Sequence, residues 1–159
     1  LYCDASFGIH SDAKSHSGYF IALGSRTRGF VQATSQKQKL VTRSSTESEL
    51  QALYTALPDV IWLRYLLDEL GYPLSTPTVA YQDNKSTIII ANATTKLSSK
   101  SRSKYFNIRY HYVNDVVKQR VITIEYLPTD QMIADILTKP LTGAIFIALC
   151  QALLSLPPS

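Results

Sequence analysis

Cysteine is almost missing from this chain: of 159 residues only Cys3 and Cys150 carry a thiol, and they lie at opposite ends. A disulfide framework is therefore excluded, and a reducing, intracellular setting is expected. No CxxC, HExxH, GxSxG or P-loop pattern occurs, which leaves cysteine-bound zinc, helix-borne zinc hydrolysis, nucleophile-elbow chemistry and P-loop phosphate binding without a motif. Long apolar runs are also lacking. The longest, Ala144 to Cys150, is far short of the roughly 20 residues a membrane-spanning helix needs, so no membrane partner is expected. There is no internal repeat, and low complexity is confined to Ser98–Ser103. The chain opens at Leu1, inside what reads as a strand, and is expected to be cut from a longer polypeptide.

What remains is 45% hydrophobic and 18% charged, which suits one compact domain with its own core. The charge is uneven. Lys96, Lys100, Arg102, Lys104, Arg109, Lys118 and Arg120 face Asp115 alone, so this segment carries +6; with +4 for the whole chain, the remainder carries −2. A basic region on a slightly acidic domain points to a polyanionic partner, with a merely solvated loop as the alternative.

Leu1–Phe7 reads as a strand, Ser11–Ser15 as a turn, Gly18–Leu23 as a strand apolar enough to be covered on both faces, and Arg28–Ala33 as a third strand. Tight links of this kind imply an antiparallel meander. A helix is expected from about Thr46 to Glu69, ending at Gly71, with a kink or break at Pro58. Trp62, Leu63, Leu66, Leu67 and Leu70 continue its apolar face. Thr78–Gln82 is a fourth strand, Ser86–Asn92 a short helix, Thr94–Lys104 a loop, Ile108–Gln119 a helix and Val121–Leu127 a fifth strand. Pro128–Asp130 turns the chain into a helix over Met132–Thr138, closed by Pro140, and residues 142–156 have helical apolar content. The alternation predicts an α/β fold in which the later strands, each reached across a helical crossover, run parallel to the first.

Four acids stand where acids are unexpected. Steps of three, four and seven residues from Glu49 reach Ala52, Leu53 and Ala56, so Glu49 points along the inward stripe. The same steps from Glu47 reach Leu50, Gln51 and Tyr54, a mixed face suited to an ordinary cap or first-turn acid. Asp4 lies mid-strand, where Asp is disfavoured. Asp83 stands at the C-terminal end of the fourth strand, where open α/β sheets form their sites, although it could equally cap the next helix. Asp135 lies within the last short helix, for which Asp130 is the better cap. Gathered at one rim, such acids would raise one another's pKa values, and hard divalent cations would relieve the repulsion. Two Mg²⁺ ions roughly 3.5–4 Å apart stabilise the attacking and leaving oxygens of an in-line phosphoryl displacement. Acids plus a basic segment thus point to a nuclease or phosphotransferase.

The stretches YCDAS (Tyr2–Ser6), SGY (Ser17–Tyr19), SSTESELQAL (Ser44–Leu53), IWLRYLLDELG (Ile61–Gly71), DNKSTI (Asp83–Ile88), SRSKYFNIRYHY (Ser101–Tyr112) and EYLPTDQMIADILTKPL (Glu125–Leu141), in this order and spacing, resemble the ribonuclease H domain of copia-type retrotransposon polyproteins. The resemblance covers nearly everything from Tyr2 to Leu141. It implies a ribonuclease H-like fold, a five-stranded mixed sheet of order 3-2-1-4-5 flanked by helices, over residues 1–141. Residues 142–159, beyond the resemblance, are expected from their apolar content to form a helical tail packed on the same domain, with docking on a neighbouring domain as the alternative. The resemblance implies endonucleolytic hydrolysis of the RNA strand of RNA–DNA hybrids with two Mg²⁺, for which Mn²⁺ can substitute. Asp4, Glu49, Asp83 and Asp135 match the family's catalytic, metal-holding acids: Asp4 on both ions, Glu49 and Asp83 on one, Asp83 and Asp135 on the other. The hybrid is expected to meet Ser44, Ser45, Thr46, Asn84, Lys100, Arg102 and Lys104. A reverse transcriptase, fused or docked, is the expected partner, and a virus-like particle in the cytoplasm the expected setting.

Two features depart from the family. Tyr126–Ile133 holds no histidine where cellular relatives often carry one, and Lys104–His111 lacks the first His and the Asp of the K-H-I-D-I-R-Y-H usual there. The rival readings are a non-catalytic hybrid-binding or connector domain, and a strand transferase on the same fold. The acid at Glu49 and the short chain favour the hydrolase.

Overall fold

A computed structural model describes residues 1–24, 29–93 and 104–154. Among them run β1 (Tyr2–Ser6), β2 (His16–Ile21), β3 (Gln32–Lys37), α1 (Ser45–Glu69), β4 (Thr78–Gln82), α2 (Lys85–Ala91), α3 (Lys104–Lys118), β5 (Ile122–Tyr126), two 3-10 turns (Thr129–Gln131 and Ile133–Leu137) and α4 (Gly143–Leu154). The sheet order is β3-β2-β1-β4-β5. β1, β2 and β3 pair antiparallel, whereas β1–β4 and β4–β5 are parallel, as the helical crossovers require.

β1 lies at the centre and is buried along its whole length. Its side chains alternate between two cores. Cys3 and Ala5 join Leu50, Leu53, Leu57 and Val113 under α1 and α3. Tyr2 faces the other way and packs with Phe20, Met132, Ile133 and Leu153 beneath the 3-10 turns and α4. Within β1, period-two alternation puts Asp4 on the Tyr2 face. Burial of both faces explains why β2 reads as an apolar run rather than as a half-polar strand.

Ser44 caps α1, its hydroxyl accepting from Glu47 N at 3.2 Å, while Glu47 Oε2 accepts from Arg43 N at 2.8 Å. This is a variant of the reciprocal Ser-x-x-Glu cap, in which the glutamate reaches one residue past the capping serine. The helix is not broken at Pro58. Proline inside a helix costs about 3 kcal/mol, but Pro58 is exposed while Leu50, Leu53, Leu57 and Val60 are buried. Packing of that stripe on the sheet holds the helix through the missing bond. Beyond Val60 the expected apolar face continues only in part: Ile61 and Leu63 pack against the larger core, whereas Trp62, Leu66 and Leu70 are exposed. Arg64 ties this half of α1 to the segment before β4 by donating to the carbonyls of Leu74 and Thr76 and to Thr78 Oγ1, each at 3.0 Å.

Three boundaries differ from the sequence reading. β3 lies at Gln32–Lys37 rather than at 28–33, because it is an edge strand whose pairing with β2 is carried by backbone bonds and needs no apolar pattern. α3 starts at Lys104, four residues before Ile108, in a turn with one buried side chain, Phe106. The expected helix over 132–138 is instead a 3-10 turn over Ile133–Leu137, which the short span between β5 and Pro140 accommodates. The expected loop over 94–104 falls outside the described residues except for Lys104, as do Lys100 and Arg102.

Gly18, opposite Asp4 in the β1–β2 ladder, lies directly against the turn over Ile133–Leu137. A Cβ there would stand 2.6 Å from Leu137 Cβ and 3.1 Å from the Leu137 carbonyl carbon. Gly18→Ala is expected to lower unfolding free energy by roughly 1–3 kcal/mol through overpacking, and chemical denaturation measures it. An unchanged midpoint would show that the 133–138 turn is not pinned on β2.

Candidate active site

Parallel pairing sets the site. Tyr2 opposes Tyr81, so two residues further along each strand Asp4 and Asp83 reach the same level. Glu49 enters from the first turns of α1. One carboxylate oxygen from each of Asp4, Glu49 and Asp83 lies within 4.8 Å of the others. Asp135 stands beside them on the 3-10 turn but is engaged elsewhere: Lys139 Nζ lies 2.7 Å from Asp135 Oδ1 and 3.9 Å from Asp4 Oδ2.

Each acid is held by neighbours. Thr138 donates its hydroxyl to Asp4 Oδ2. Thr129 Oγ1 donates to Asp83 Oδ2 at 2.8 Å. Gln82, 1% exposed, links two acids at once: its Nε2 donates to Glu49 Oε2 at 3.2 Å, and its Oε1 accepts from Asp83 N at 2.9 Å and Asn84 N at 3.3 Å. Such outer contacts fix the direction in which a carboxylate presents its lone pairs.

Burial raises the pKa of Asp4 to about 6, with Asp135 and Asp83 adding repulsion and Thr138 and Lys139 pulling the other way. Glu49 is pushed well above the ordinary carboxylate range, by burial first and then by Asp4 and Asp83. Asp135 is raised by burial against the pull of Lys139. Burial disfavours the charge of Lys139, but Asp135 and Asp4 outweigh it and its pKa is raised. Oxygen-only ligands, crowded and short of positive charge, fit a hard divalent cation rather than a soft one.

The sequence reading named the four acids but not Gln82, Thr129, Thr138 or Lys139. Gln82 had a signal: it shares the inward face of β4 with Ala80, where an amide needs partners. Lys139 had one too, four residues after Asp135. Of the expected nucleic-acid contacts, Ser44 caps α1, and Asn84 caps α2 by accepting from Thr87 N at 3.1 Å. Ser45 and Lys104 are exposed, and Thr46 is half-buried with its carbonyl accepting from Thr87 Oγ1 at 3.4 Å.

No family model matches the chain. It is 35% identical, over 147 residues and 91% of its length, to the retrovirus-related Pol polyprotein from transposon RE2 of Arabidopsis thaliana. It is 30% identical over 156 residues to that from transposon TNT 1-94 of Nicotiana tabacum, covering 98% of this chain. The fold is similar to that in the crystal structure of LC11-RNase H1 in complex with RNA/DNA hybrid, with a TM-score of 0.61 and 14% identity over 86% of this chain and 91% of that one. The chain belongs to the ribonuclease H domains of copia-type retrotransposon Pol polyproteins. This ribonuclease H domain spans about a tenth of the length of the polyproteins it matches.

The raised carboxyls give the ribonuclease H domain a distinctive pH response. Folded Asp4 keeps its proton up to about pH 6, whereas an ordinary carboxyl releases it near 3.8. The folded state therefore binds the extra proton between those values, and stability falls as pH rises through them, by roughly 3 kcal/mol at most. In chelator, the melting temperature should drop from pH 5 to pH 7.5, less so in Asp4→Asn, and Mg²⁺ should restore it at pH 7.5. Parallel profiles for the two proteins would contradict the assignment.

Proposed function

We propose that this domain hydrolyses the RNA strand of RNA–DNA hybrids, endonucleolytically and with divalent cations, as part of retrotransposon reverse transcription. The observation that carries the reading is the convergence of Asp4, Glu49 and Asp83, with Asp135 alongside, at the rim of a ribonuclease H-like sheet. A solved relative of that fold is in complex with an RNA/DNA hybrid.

Asp4, Glu49 and Asp83 would hold one Mg²⁺, and Asp4 and Asp135, with Asp83 near, a second; Mn²⁺ would serve in their place. When bound, these ions supply Lewis-acid stabilisation of the charge that builds on a phosphodiester and lower the pKa of water. The chain's own residues do the positioning. Gln82 keeps Glu49 and the Asp83 backbone in register, Thr129 orients Asp83, and Thr138 orients Asp4. Hydrolysis would leave 3′-hydroxyl and 5′-phosphate ends. Ser45, Thr46 and Lys104, with Lys100 and Arg102 outside the described residues, would meet the hybrid. A groove of about 710 Å³ between α1, α3 and the segment after β3 carries Lys37, Lys39 and Arg109 beside Tyr54 and Tyr105, a suitable lining for a sugar–phosphate backbone. The reading places the domain beside a reverse transcriptase, fused or docked, in a cytoplasmic virus-like particle. No helix among the described residues is long and apolar enough to cross a membrane.

Purified protein should cut a labelled hybrid only with Mg²⁺ or Mn²⁺ and leave DNA duplex intact, and Asp83→Asn should cut at least roughly a hundredfold more slowly. Binding without cleavage by the wild type would make the domain a connector, and cutting of DNA duplex would make it a strand-transferase relative. Lys39→Glu with Arg109→Glu should weaken hybrid binding and flatten its salt dependence. An unchanged slope would remove the groove from the binding surface.

A further inference from the structure

The acids fall into two lobes that share Asp4. In the first, the converging oxygens of Asp4, Glu49 and Asp83 face one another, and among the described residues no lysine or arginine pairs with Glu49 or Asp83. The second lobe already contains a cation. The Lys139 ammonium sits 2.7 Å from Asp135 Oδ1 and 3.9 Å from Asp4 Oδ2. Its backbone is fixed there: Lys139 N donates to Asp135 O at 2.9 Å, Leu141 N donates to Lys139 O at 2.9 Å, and Pro140 stiffens the link between them. Its side chain is 34% exposed, so the ammonium stands at the mouth of the site rather than sealed within it.

We propose that Lys139 is a built-in counter-ion for the second cation position, so that the domain takes one divalent ion directly between Asp4, Glu49 and Asp83 and a second, between Asp4 and Asp135, only by displacing the lysine ammonium. This rests on reading the acids as metal ligands. A magnesium–oxygen bond is about 2.0–2.1 Å, so an ion on Asp135 Oδ1 from the Asp4 side would overlap the lysine nitrogen, and two cations there would repel. A lysine can yield where an arginine would not. Its charge is compact and its four-carbon stem flexible, whereas a guanidinium would grip the carboxylate with two parallel bonds. The two ions are therefore bound unequally in the free protein, and the second is favoured once the phosphate of a substrate offers Lys139 another anion.

Calorimetric titration of the whole chain with Mn²⁺, without nucleic acid, tests this. Wild type should show one tight site and a second at least about tenfold weaker; Lys139→Met should tighten the second by about tenfold or more, and Lys139→Arg should leave it weak. Melting curves in chelator report whether each variant folds. Should Lys139→Met fold only with Mn²⁺ present, two equivalents retained after gel filtration, against one for wild type, would support the proposal equally. Two equal sites in the wild type, or a second step that Lys139→Met leaves unmoved, would overturn it. The outcomes separate from those of the hybridase reading. A shifted second step in a protein that never cuts hybrid sinks the hybridase alone, and cleavage with an unmoved second step sinks the counter-ion alone. Absence of any Mn²⁺ binding sinks both.

Discussion

The carboxylate of Asp4 projects from the middle of the central strand into protein rather than water, at 2% exposure. A charge in that position is expensive unless partners meet it, and much of the chain's layout supplies them. The 133–138 turn brings Thr138 to one oxygen and Lys139 close behind. That turn can approach only because β2 offers Gly18, with no side chain, at the point of contact. The raised pKa of Asp4 shows that these partners leave the charge under-compensated. The residual deficit is what a divalent cation would relieve.

Stability and chemistry therefore pull against each other at one rim. Around it the protein is conventionally packed, with a larger core beneath α1 and α3 and a smaller one beneath the 3-10 turns and α4. Gln82 stands between the two demands. Buried at the end of β4, it satisfies the backbone where the strand gives way to α2 and at the same time aims Glu49. A residue with both duties is hard to replace, because an apolar substitute would leave two backbone donors and one carboxylate oxygen without partners.

The strands and long helices were legible because burial leaves periodicity behind. β1, β2, β4 and β5 lay close to where alternation and apolar runs put them, and Glu49 betrayed itself by sharing a stripe with Ala52, Leu53 and Ala56. β3 was misplaced because an edge strand held by backbone bonds carries little side-chain pattern. Pro58 misled in the other direction: local chemistry argued for a break, and a buried face along the same helix outweighed it. Glu47 is the ordinary capping acid its mixed face suggested, whereas Ser44, expected to meet the hybrid, is the N-cap that completes the same cap within five residues.

By itself the sequence determined that this is an α/β domain, that four acids occupy positions unsuited to acids, and that ordered motifs tie it to copia-type polyproteins. All of these are recorded in local spacing or in the linear order of residues. Only the tertiary structure decided how the acids are divided. Asp4, Glu49 and Asp83 converge, while Asp135 is held by Lys139. Distances between residues as far apart in the chain as Asp4, Glu49 and Asp83 depend on sheet register and on how closely one turn can pack. No short-range pattern encodes either.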